Sequence, residues 1–293
     1  MPENKEIENP GSKFTQVLDA AARLPAVRIN RAAYLRAALK RHCSEEQIER
    51  AVAESPAAAG IPFGVITSAA NDSIGYETAK VTALSAAAGI PGGFAMLGTV
   101  PADLVQYFGH VLRIAQKLAY IYSWPNLFAD DGDGDGDELD DATEGILTLF
   151  VGVMFGLQMA QGGVAIVANM MAAQALKKLP QQALTKGVVY PVVKKVAAHL
   201  GVTMTKQIFA GGVAKIIPVL GAVLSGGLTL ATFLPMSKRL QKHLASLELT
   251  KPGHRAEEEE IIDAVLVDDV PQDEFDQSEL TVTADSSELV EQP

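Results

Sequence analysis

Three aspartates at alternate positions, Asp131, Asp133 and Asp135, stand in DGDGDGDELDDATE with Gly136 beside them. That is the spacing with which a calcium loop presents its first oxygen ligands and its sharp turn. The pattern is incomplete. Ala142 occupies the twelfth position, where a bidentate Glu closes such a loop; starting at Asp133 instead brings in Glu144 but puts Glu138 where the turn needs Gly. The segment reads as a solvated acidic loop, with weak Ca²⁺ or Mg²⁺ binding at Asp131, Asp133 and Asp135 as the alternative.

A second constellation follows Pro101. Asp103, Gln106, His110, Arg113 and Lys117 recur at spacings of three and four, so a helix aligns them in one narrow polar stripe on an otherwise apolar surface. Either the stripe faces water, or it lines a polar groove in which Asp103, His110, Arg113 and Lys117 hold a lipid headgroup or phosphate. Signals of covalent or cofactor chemistry are missing: there is no Gly-x-Ser-x-Gly elbow, no phosphate-cradling Gly-Lys-Ser/Thr loop, no dinucleotide fingerprint after a strand and no His-Glu-x-x-His. Cys43 adjoins His42, but successive helical residues point apart, which argues against a dyad. The chain reads as a non-enzyme with no catalytic residue to name.

The elements that would position these residues are helical throughout, because no alternating apolar and polar run supplies a strand. Asn30 caps RAAYLRAALKRH, and Ser44 with Gln47 forms a capping box opening EEQIERAVAE, which Pro56 closes. The hexapeptide AAAGIP occurs at Ala57 to Pro62 and again at Ala86 to Pro91, and Gly-x-Pro marks a helix break at each copy. Three stretches lack charge, Val81 to Ala102, Gly145 to Leu176 and Ile216 to Ser237, and each is long enough to cross a bilayer. In the second, Gly152, Gly156 and Ala160 recur every four residues, which permits close helix contact in lipid or in a soluble core. The third is flanked by Lys215 on one side and by Lys238, Arg239 and Lys242 on the other.

With 293 residues, 48% of them apolar and 20% charged, the chain can bury a sizeable core, and its single cysteine excludes an internal disulfide framework. The net charge of −11 comes from two places, about nine carboxylates between Asp130 and Glu144 and about 14 after Arg255; without them the body is near +11. Such a body is drawn to anionic headgroups. Nucleic acid is not expected as a partner, since no compact basic and aromatic patch is present. Residues 1–13 read as a disordered leader, 14–250 as one helical domain containing the acidic loop 129–144, and 251–293 as a disordered acidic tail.

The stretch AAAGIPGGFAMLGTVPADLVQYFGHVLRIAQKLAYIYSWPNLF, continued through ATEGILTLFVGVMFG, resembles the EcsC family. An Ala/Gly-rich apolar run, Pro-x-Asp opening a long helix, a Tyr-x-Trp-Pro ending, an acidic loop and a Gly-containing apolar helix occur in that order. The resemblance implies a bacterial helical protein associated with the membrane and supplies no active-site residues. The expectation is therefore an all-α multi-helix bundle with Gly-rich apolar central helices. It would lie on the cytoplasmic side, peripheral or partly inserted, with membrane lipids or a membrane protein complex as partner. The alternative is a soluble carrier enclosing a lipid or other apolar ligand.

Overall fold

The computed structural model describes residues 10–87, 96–97, 100–128, 139–173, 178–209 and 226–251. The protein is an all-α multi-helix bundle. Its helices are α1 (Pro10–Ala22), α2 (Arg31–Leu39), α3 (Glu45–Ala53), α4 (Phe63–Ala87), α5 (Ala102–Ile121), α6 (Asp141–Met154), α7 (Gln158–Ala173), α8 (Gln181–Thr185), α9 (Tyr190–Phe209) and α10 (Gly226–Ala245), followed by a 3₁₀ turn, Glu248–Thr250. A minimal antiparallel pair, β1 (Met96–Leu97) with β2 (Val100–Pro101), precedes α5. Two residues a side leave no alternation to read, which is why no strand is expected from the sequence.

Local signals place several helix ends. The Asn30 side chain accepts from Ala33 N at 2.9 Å, and Ser44 and Gln47 form the reciprocal capping box expected of them. Asp140 caps α6 by accepting from the amides of Ala142 and Thr143, both at 3.0 Å. Each such cap contributes about 1 kcal/mol. At the first AAAGIP copy the chain breaks as expected, with Gly60 in the left-handed region (φ +68°) and α4 starting after Pro62. α4 ends at Ala87, and the remainder of the second copy lies outside the described residues.

Three expectations change. α1 begins at Pro10, inside the segment read as leader; proline suits a first helical position, and Phe14, Val17, Leu18, Ala21 and Ala22 bury a helical stripe. The apolar stretch from Gly145 to Leu176 is two helices, because Gly156 (φ +87°) turns the chain between α6 and α7. At 14 residues α6 is about 21 Å long, short of the roughly 30 Å of a bilayer's hydrocarbon. The stretch from Val81 to Ala102 is likewise shared between α4, the β pair and the start of α5. No helix among the described residues is long and apolar enough to cross a membrane.

α6 sits at the centre, buried at nearly every position, with α5, α7, α8, α9 and α10 packed around it. Trp124, just beyond α5, meets Phe150 of α6 edge to face at 5.0 Å. Glycine sets the separations. A Cβ on Gly152 would stand 2.6 Å from Ala160 Cβ and 2.7 Å from Val196 Cγ1, and one on Gly163 would stand 3.0 Å from Leu149 Cδ2. Charged side chains close the ends. Arg239 of α10 donates to the Met154 carbonyl of α6 at 3.2 Å. Arg31 donates to the carbonyls of Ala51, Val52 and Glu54 at the end of α3 and, through Nε, to that of Trp124.

Candidate functional site

The stripe on α5 divides. Gln106 is exposed, whereas His110, Arg113 and Lys117 turn toward α4 and converge on Glu77. α4 buries Ala70, Ile74 and Val81, and helical spacing puts Glu77 in that same line. Its side chain is 0% exposed. Lys117 Nζ lies 2.6 Å from Glu77 Oε1, Arg113 Nη2 3.1 Å from the same oxygen, Arg113 Nε 3.3 Å from both oxygens, and His110 Nδ1 3.9 Å from Oε2. Burial pushes the Glu77 carboxyl up, but His110, Arg113 and Lys117 together outweigh it and hold the group well below the usual carboxylate range.

The same α5 face grips the α1–α2 connection. Arg113 Nη1 donates to the Ala26 carbonyl, and Ala26 itself takes a positive φ of 62°. Gln116 donates to the Val27 carbonyl at 3.0 Å and accepts from Ile29 N at 2.8 Å. Above the ion pair, Lys117 Nζ sits 5.0 Å from the Tyr76 ring centroid and 5.9 Å from that of Tyr34, whose hydroxyl shares a 2.8 Å hydrogen bond with Ser73. Two cations against one carboxylate leave an excess positive charge, which the carbonyl and the ring faces help to offset. Chemically the cluster is a brace. A carboxylate this acidic and already engaged by several donors makes a poor general base.

Sequence reasoning identified the cationic side of this cluster and missed Glu77. The signal was available: a Glu on an apolar helical stripe needs an opposite charge, and α5 presents two at the spacing of one turn. Asp103 opens α5, but its side chain lies outside the described residues, as do Asp131, Asp133 and Asp135. At the described end of the acidic loop, Asp140 is committed to capping α6 and Glu144 accepts from Thr15 Oγ1 at 3.1 Å. Among the described residues no group of three His, Cys, Asp or Glu is placed to hold a metal ion.

A cavity of about 330 Å³ opens where α1, α6, α8 and α9 meet, with Thr15, Asp141, Glu144, Tyr190 and Lys194 in its walls. Burial, followed by the charges of Asp141 and Asp19, raises the Glu144 carboxyl above its ordinary range against the Thr15 hydrogen bond. A carboxyl whose pKa rises on folding loses stabilisation as pH climbs through that raised value. Glu144→Gln keeps an acceptor for Thr15 and removes the charge, so it raises the melting temperature at neutral pH. The gain fades as pH falls and wild-type Glu144 becomes protonated. Thermal unfolding of both proteins across pH 4 to 8 checks this; a gain that grows toward acid would contradict it.

Compared with protein-family models, curated proteins and solved structures, the chain matches none.

Proposed function

We propose that this chain is a non-enzymatic helical protein that works at an anionic membrane surface on the cytoplasmic side, assisting an envelope or transport process. One observation carries the reading. From Gly145 to Leu247 there is no Asp or Glu in 103 residues, while ten Lys and Arg occur. α7, α8, α9 and α10 are drawn from that run, so the second half of the bundle presents cations without carboxylates of its own. Each basic residue near an anionic lipid surface contributes about 1 kcal/mol. The resemblance to the EcsC family supports the same reading. The carrier alternative gains nothing from the glycines, since Ala160, Val196, Leu149 and Val192 fill the space beside Gly152 and Gly163.

Sedimentation of the full chain with phosphatidylcholine vesicles, with and without phosphatidylglycerol, tests the reading. Binding is expected to the anionic vesicles alone and to weaken with added salt, as exposed charges are screened. Recovery in the supernatant with both vesicle types would rule it out.

A further inference from the structure

We propose that the outer side of the α7–α9 pair is the surface that enters the headgroup layer of an anionic bilayer, Met159 and Ile166 reaching inward and Lys195 meeting phosphate. This rests on the membrane reading above and names the surface responsible for it.

Four of the six large apolar residues exposed among the described residues belong to this pair and the turn that leads into it: Met159 (40%), Ile166 (36%), Val188 (65%) and Val202 (37%). α7 has no charged residue in its 16 positions, so its water-facing residues, Gln158, Met159, Gly162, Ile166, Asn169 and Ala173, are uncharged throughout, and only Gln158 and Asn169 among them are polar. A globular surface helix normally places charge there.

The two helices run in opposite directions: Gly163 of α7 meets Val192 near the start of α9, while Ala160 and Val196 both press on Gly152. With that geometry, helical spacing puts Met159 and Ile166 of α7 and Lys195, His199 and Val202 of α9 on one side of the shared seam. Val188 stands about one turn before Val192 at the head of α9. Lys186 and Lys195 are exposed, and neither has an acidic partner among the described residues.

The combination selects one occupant. Apolar side chains interleaved with unpaired lysines match the acyl boundary and the phosphates of an anionic leaflet. A second copy fits poorly, because two acid-free faces would meet with like charge. Nucleic acid fits poorly too, since aliphatic side chains offer bases nothing to stack on.

The test uses the full chain and vesicles containing phosphatidylglycerol. Ile166→Glu and Met159→Glu change exposed positions, so the fold stays intact by circular dichroism, and each is expected to weaken partitioning about tenfold or more. Lys195→Glu weakens it in a salt-dependent way. Phe63→Glu, at an exposed position that opens α4, leaves it unchanged. An environment-sensitive dye on Ile166→Cys, in a Cys43→Ser background, shifts to the blue when vesicles are added. If wild-type protein binds and the α7 variants bind equally well, the surface assignment fails while the membrane reading stands. If wild-type protein does not bind, both fail. Loss of self-association, or of RNA retention, in Ile166→Glu without any vesicle effect would also overturn the assignment.

Discussion

Glu77→Ala costs the fold about 3–5 kcal/mol, the range for removing one partner of a buried ion pair. The loss exceeds the pair's own contribution, because Arg113 and Lys117 are left mostly buried with their carboxylate gone. Ala26 loses its grip as well, since the guanidinium that holds its carbonyl is oriented by Glu77. Urea unfolding followed by circular dichroism and by the fluorescence of Trp124 measures it, and a loss under about 1 kcal/mol would contradict the brace. Replacing all three groups together, Glu77→Leu with Arg113→Met and Lys117→Met, recovers much of the loss, because apolar packing often equals a buried ionic cluster. The sign with pH is also fixed. A carboxyl depressed on folding stabilises above its unfolded pKa and stops doing so as pH falls through the folded value. The Glu77 contribution is therefore intact at neutral pH and declines only in strong acid.

Gly152→Ala destabilises by about 1–3 kcal/mol through overpacking. The new methyl lands 2.6 Å from Ala160 Cβ and 2.7 Å from Val196 Cγ1, and neither neighbour is the free end of a flexible chain. Gly75→Ala in α4 goes the other way: its Cβ meets nothing within 4 Å, so the helix gains about 1 kcal/mol from propensity alone. Combining Gly152→Ala with Val196→Ala restores part of the loss, and the double-mutant cycle isolates the contact. Equal effects of the two glycine changes would mean that α6 and α7 are not held apart by side-chain volume.

Features decided within a few residues were legible in the sequence. Asn30, Ser44 with Gln47, and the first AAAGIP copy place helix ends because a cap or a Gly-x-Pro break needs only its neighbours. The division between α6 and α7 was hidden, since the turn is built from Phe155, Gly156 and Leu157, which continue the apolar composition on either side. Length without charge looked like one span, and the left-handed Gly156 makes it two. The site was half visible for a related reason. His110, Arg113 and Lys117 share a helix, so their alignment follows from spacing, but their counter-charge lies 36 residues before Arg113 and only packing joins them. The acid-free third of the chain was obscured differently: a net charge of −11 conceals a run in which carboxylates are missing altogether.

Arg31 carries one more implication. Its nitrogens reach carbonyls on both α3 and the turn after α5, so a single guanidinium clamps α2 to α3 and ties the hairpin to the turn that follows α5. Three of the four acceptors, the carbonyls of Ala51, Val52 and Glu54, lie within the hairpin, so it moves as one unit and its departure breaks, of the four, only the bond to Trp124. α2 and α3 thereby open together, because the guanidinium that anchors one also holds the end of the other.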